Sequence, residues 1–225
     1  MKYRIFVCLF ALTLATISAA QVQTPPLREG VSVQMARTAN ATPVPEADNE
    51  DAWVISVTAD GRVFFGVKAV TQDGLTEIMR ETPRHRGQDL YVKADARTRF
   101  GNLKPVLKAA SGDWFQSAVL LTNQNETPAL GKLVAPKGLP VLLASNAGLA
   151  VTVQLRESGQ KAPKLLVNDR EIVMSDLQSA LNQALQGRSE RVVQLQADDN
   201  LPFAQVAQVV DACSSVKGKV VISVE

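Results

Sequence analysis

Histidine occurs once in these 225 residues and cysteine twice. A zinc site draws on several His and Cys ligands, and a Ser-His-Asp triad needs a histidine beside its nucleophile. The only histidine, His85, lies in the basic loop Pro83-Arg84-His85-Arg86-Gly87, where a solvated side chain is expected, as it is for Arg84 and Arg86. No nucleophile-elbow, phosphate-loop or dinucleotide pattern is present. The chain is therefore read as non-enzymatic, with no catalytic, cofactor-binding or metal residue. Cys8 and Cys213 are too few and too far apart in context for a disulfide framework; Cys213 is expected to pack as a small buried apolar residue. Charge of one sign is not in excess either. Lys2 and Arg4 are the only charged residues among the first 20, and the remainder carries 22 basic against 22 acidic residues. With no basic stripe and few aromatics, nucleic acid is excluded as a partner.

Long apolar runs are equally scarce. Ile5–Ala20 is the only one, preceded by Lys2 and Arg4 and followed by the small-residue sequence Ser18-Ala19-Ala20. That is the form of a signal peptide, and 16 residues is short of the ~20 a membrane span needs. Residues 1–20 are expected to be a signal peptide or a membrane anchor, with the rest exported. Residues 21–52 hold Pro25, Pro26, Pro43 and Pro45, which block helix and interior strand. They read as an extended linker with one edge strand at Val31–Met35, where Val31, Val33 and Met35 alternate with polar residues.

What the sequence does contain is a repeat. Ala94-Asp95, Phe100, Leu103, Val106 and Ala109 recur 103 residues later as Ala197-Asp198, Phe203, Val206, Val209 and Ala212. The spacing of three marks a helical face, and each copy lies between two β-rich runs. Residues 53–122 form the first predicted domain. It contains a hairpin turning at Ala59-Asp60-Gly61, a helix capped by Thr71, the strand Leu90–Ala94, a second helix and the strand Ala118–Leu121. Pro105 is expected to delay that second helix to about Asn102. Residues 123–148 are a linker with an edge strand at Leu139–Leu143. Residues 149–225 are the second domain, with Ser175 and Gln178 as a capping box and Gly187 as a helix stop. The expected fold is α+β: two tandem β-β-α-β-α-β units, each a small mixed sheet with two helices on one face.

These residues resemble the exported domain of the ExbD/TolR biopolymer-transport family, twice over. Thr24 to Met35 is similar to the family's stretch just outside the membrane, Val57 to Gly66 to its first hairpin, and Tyr91-Val92-Lys93-Ala94-Asp95-Ala96 with Phe100-Gly101 to its most recognisable motif. Lys137 to Val141, Leu166 to Asp169 and Gln196-Ala197-Asp198 take those places in the second copy. The resemblance implies a periplasmic or inner-membrane location in a Gram-negative envelope. The partners it implies are ExbB/TolQ-type and TonB/TolA-type proteins, or peptidoglycan. It also implies self-association, which two copies in one chain would satisfy as an intramolecular pseudo-dimer. Family members carry an intramembrane Asp that takes part in proton flow; Ile5–Ala20 has no acidic residue. The alternative reading is a periplasmic peptidoglycan-binding or scaffolding module with no part in energy transduction.

Asp95 and Asp198 are the residues that most invite a functional role. Each stands between a strand and a helix, where a carboxylate caps the turn by accepting backbone N–H groups. With Phe100 and Phe203 they are read as a structural motif. A cation held by Asp198 and Asp199 and an exposed patch at Trp53, Phe64, Phe65, Trp114 and Phe115 are the functional alternatives to a capped turn and core packing.

Overall fold

A computed structural model describes residues 30–85, 87–111, 114–123, 134–144, 148, 150–159 and 162–223. The targeting segment, Arg86 and the Thr24 end of the family-like stretch lie outside these.

The strands of both copies join in one sheet. The first copy supplies β2 (Trp53–Val57), β3 (Val63–Phe65), β4 (Lys68–Val70), β5 (Leu90–Ala94) and β6 (Ser117–Thr122). The second supplies β8 (Val151–Arg156), β9 (Lys164–Val167), β10 (Arg170–Ile172), β11 (Val192–Ala197) and β12 (Lys219–Ser223). Between them lies β7 (Lys137–Ala144), and the order is β10-β9-β8-β11-β12-β7-β6-β5-β2-β3-β4. A two-residue strand, β1 (Thr42–Pro43), pairs antiparallel with the start of β7. Within each copy β2, β5 and β6, or β8, β11 and β12, are parallel, and the hairpins are antiparallel. The sheet is mixed and the class is α+β, with a third hairpin strand in each copy, β4 and β10, beyond the two expected. The turn into β10 uses Asn168 at φ 47° and Asp169 at φ 65°, the two left-handed residues of a type I′ hairpin.

Leu139–Leu143 is not an edge strand. β7 runs parallel to β12 on one side and antiparallel to β6 on the other, so it is the seam between the copies. Gly138 makes that approach possible: a Cβ there would stand 2.3 Å from a Val119 methyl carbon. Val31–Met35 is not a strand either. Only an isolated bridge from Met35 to Asp95 remains, because the segment is held by side chains, Val31 carbonyl by Lys93 and Gln34 N–H by the Asp95 carboxylate, and not by a ladder of backbone bonds.

Helices α1 (Gln72–Glu81), α2 (Phe100–Ser111), α3 (Leu177–Leu185) and α4 (Phe203–Ser215) share one apolar core with one face of the sheet. Trp53, Ile55, Val92, Ala94, Val153, Leu155, Val193 and Leu195 meet Leu75, Met79, Leu103, Leu107, Leu181, Val206 and Val210 there. Thr71 caps α1 by accepting from Gly74 N–H at 3.1 Å, as its sequence suggests. Ser175 and Gln178 form no capping box. Met174–Asp176 is a 3₁₀ turn, α3 starts only at Leu177, and the Ser175 hydroxyl bonds its neighbour Asp176. Helix α2 begins at Phe100 despite Pro105. The reason is tertiary: the Phe100 and Gly101 N–H groups are held by carbonyls of the other copy.

Candidate functional site: the paired aspartate turns

Each parallel strand pair hands the chain to its helix through a turn that begins with Asp. Asp95 N–H bonds Val57 carbonyl at 2.8 Å and Asp198 N–H bonds Leu155 carbonyl at 3.0 Å, so the two turns start alike. They then meet. Phe100 N–H donates to Leu201 carbonyl and Phe203 N–H to Thr98 carbonyl, both at 2.8 Å. Gly101 N–H donates to Asp199 carbonyl and Ala204 N–H to Ala96 carbonyl, both at 2.9 Å. Each bond of a pair becomes the other on shifting both residue numbers by one repeat, and Arg99 bridges its own counterpart Pro202. The reciprocity is that of a twofold, isologous contact, made here within one chain. It also satisfies helix-start donors that would otherwise lack partners. Gly101 is needed for the close approach, since a Cβ on it would lie 2.9 Å from the Asp199 Cβ. Phe100 and Phe203 are both buried beneath the junction.

The carboxylates themselves differ. Asp95 is 2% exposed. It accepts from Arg97 Nε and Nη2, both at 2.9 Å, and from the N–H groups of Arg97 and Gln34, both at 3.0 Å. The Arg97 guanidinium and these N–H groups outweigh burial and hold its carboxyl well below the usual range. The Asp198 side chain is 33% exposed; it takes Arg156 Nη1 at 2.9 Å and Glu157 N–H at 2.9 Å. Burial alone would raise it, but the Glu157 and Arg156 bonds win and its pKa is lowered. Asp199 pairs with Lys104 of α2 at 2.5 Å, and the same lysine acts on Asp198. Among the described residues no group of three or more His, Cys, Asp or Glu is placed to hold a metal ion. A polar cleft of about 530 Å³ opens beside this junction, lined by Lys104, Arg156, Glu157, Asp198, Asp199 and Asn200 among others. Four of its charges are matched in pairs, Arg156 with Asp198 and Lys104 with Asp199, and Glu157 accepts from the Asn200 amide at 3.2 Å.

Arg97, Arg156, Lys104 and Gln34 escaped the sequence reading. Arg97 had a local signal, standing two residues after Asp95; the others reach the turns only through folding. The remaining candidates separate cleanly. Trp53 and Phe115 are buried and edge-packed at 5.5 Å, Trp53 and Phe65 at 5.3 Å. Trp114 packs against the core, and Arg84 lies over the Phe115 ring at 4.0 Å. His85 is exposed, 3.8 Å from Asp51. Cys213 is buried in α4 and burial pushes its thiol up to about 12. Val31 and Gln34 neighbour Lys93 and Asp95 as single hydrogen-bonded residues. Among the described residues no helix is long and apolar enough to cross a membrane.

A family model described as biopolymer transport protein ExbD/TolR matches residues 5–125 and again residues 136–225. Each matched segment holds one Asp turn. No curated protein and no solved structure matches the chain.

Proposed function

Since the chain belongs to the ExbD/TolR biopolymer-transport family, a transport-associated, non-enzymatic family of the cell envelope, we propose that it serves as a one-chain pseudo-dimer on the periplasmic side. The two family-like units would do within one polypeptide what a pair of exported domains does elsewhere. The observation that carries this reading is the reciprocal exchange of four backbone hydrogen bonds between the Asp95 and Asp198 turns. It rests further on the single sheet that runs through β6, β7 and β12.

The same reading assigns the proton step to another chain. An acid inside a membrane segment is costly and is kept for function, and Ile5–Ala20 contains none. The chain therefore acts as a binding platform in a TonB- or Tol-type assembly, beside an ExbB/TolQ-type channel and a relative that carries the acid. Extraction of envelopes in mild detergent, capture of the tagged chain and mass spectrometry test this. Co-purification of a channel subunit together with an Asp-bearing relative is expected. Recovery of the chain alone, in the soluble periplasmic fraction, would refute it.

A further inference from the structure

The sheet ends on β10, and between that strand and α3 lies an open groove of about 500 Å³, lined by Val167, Arg170, Ile172, Ser179, Ala180 and Ala184 among others. The repeat shows how it is hollowed. The same elements, β4 and α1, stand 102 positions earlier but carry larger side chains: Phe65 for Val167, Ile78 for Ala180 and Thr82 for Ala184. Phe65 and Ile78 pack on the core there, and the smaller residues of the second copy withdraw that volume. The rim has changed too. Val173 and Met174 are 60% and 40% exposed, where the first copy has Thr71 and Gln72. Exposed apolar side chains gathered beside a groove mark a contact surface.

The backbone at this edge is also open. Asn168 N–H is spent on Thr152 carbonyl in β8, and backbone groups alternate in direction along a strand. Val167 and Leu165 therefore face β10 and pair with Arg170 and Ile172, which turns the N–H and C=O of Glu171 outward. Among the described residues neither group has a backbone partner. An antiparallel strand laid on β10 takes both bonds, as peptides do when they extend a sheet. Its alternate side chains enter the groove. Charge sets their order. Arg170 and Ile172 share the helix-covered face with their opposites Val167 and Leu165, and Glu171 lies on the other face. The complement is a basic residue opposite Glu171, an apolar residue before it beside Ile172 and Ala180, and an acidic residue after it beside Arg170. The far edge, β4, reads Lys68-Ala69-Val70 and lacks the central acid.

We propose that the β10 edge docks an extended segment of a partner protein in the order apolar, basic, acidic, added as an antiparallel strand with its apolar side chain in the groove. This gives the binding platform a docking place and rests on that reading only for the existence of a partner. The test uses the purified chain, so its failure and the failure of the envelope capture are separate results.

The probe is acetyl-Thr-Thr-Val-Lys-Glu-Thr-amide, titrated into the ¹⁵N-labelled full chain. The control, acetyl-Thr-Thr-Val-Glu-Lys-Thr-amide, has the same composition and sets like charges against each other. With the probe, saturable shifts confined to the amides of residues 170–174 and 180–184 are expected, with slower solvent exchange at the Glu171 amide. The control should bind about tenfold more weakly. Ala180→Ile restores the side chain of the first copy and should abolish the shifts. Arg170→Glu combined with Glu171→Lys should reverse the preference between the peptides, which a misfolded chain cannot imitate. Equal binding of the two peptides, no saturable shift, shifts away from this edge or an unreversed preference would overturn the proposal. So would the same shifts on concentrating the chain alone, since a second copy would then be the occupant.

Discussion

In the first copy β5 and β6 are buried on both faces; in the second β8 and β11 are buried on one. Every residue of Ala118–Thr122 in β6 is buried, and so are Leu90, Tyr91 and Val92 of β5. The strands β8 and β11 instead alternate, with Val151, Val153 and Leu155 inside and Thr152, Gln154 and Arg156 partly exposed. The cause is residues 30–52. They cross the helix-free face of the first copy, where Met35, Val44, Ala47 and Ala52 pack on Val54, Tyr91, Val119 and Leu121. Asp95 holds this strap at Gln34, Thr122 at Thr38 and Asp211 of α4 at Ala39 and Asn40. In the second copy β8 and β11 carry Thr152, Gln154, Arg156, Gln194 and Gln196 there, each partly exposed, and among the described residues no such segment crosses them. One repeat has thus diverged into a covered half and an open half, and the difference lies in side chains, not in topology.

The largest expected effect comes from breaking the seam on which the comparison depends. Gly138→Val puts a side chain into Val119 and close to the Leu120 carbonyl. Overpacking of this kind should cost about 3 kcal/mol in urea unfolding. A cost near zero would show that β7 is not tightly held between the halves.

Next comes the pair of aspartates. Asp95→Ala leaves two backbone N–H groups and Arg97 without their acceptor and should cost about 3 kcal/mol, while Asp198→Ala, at a more exposed site, should cost about 1 kcal/mol. Equal costs would remove the distinction drawn between the turns. The sign of the pH effect follows from the lowered pKa of Asp95. Its contribution is fully present above the unfolded value of about 4 and drains away as pH falls toward the folded value. Asp95→Asn should therefore flatten the loss of stability below about pH 4, and an unchanged acid limb would contradict the assignment.

The covered and open faces were partly written in the sequence. Val151-Thr152-Val153-Gln154-Leu155 alternates, as a strand with one wet face does, whereas Ala118-Val119-Leu120-Leu121 is a continuous apolar run, as strands covered on both sides are. The run announced a cover without naming it, because the strap binds mainly through backbone groups that every residue possesses. The Asp turns were legible as caps since Asp next to a strand end has a local role. The exchange between them was not, for it is made of main-chain bonds across 103 positions. The same bonds explain why α2 begins before Pro105 against its local preference. β7 looked like an edge strand because its Gly138 and Pro140 are residues that edges tolerate. Its place is set instead by the fit of Gly138 against Val119, which only the assembled sheet reveals.

A smaller effect should follow from loosening the strap alone. Asp211 stands where the first copy has Lys108, so its grip on Ala39 and Asn40 belongs to one half only. Asp211→Ala should cost about 1 kcal/mol and speed hydrogen exchange at the Ala39 and Asn40 amides, leaving the β8 and β11 amides unchanged. Acceleration spread evenly over both halves would mean that the strap is not a separate unit.

The central claim is that the two copies complete each other within one chain. Sedimentation equilibrium over a range of concentrations tests it most directly. A single species at the mass of one chain, 24.2 kDa or slightly less if the N-terminal segment is removed, is the result expected. A stable species of twice that mass, dissociating only on denaturation, would contradict it, because the Asp turns and β7 would then be pairing between chains.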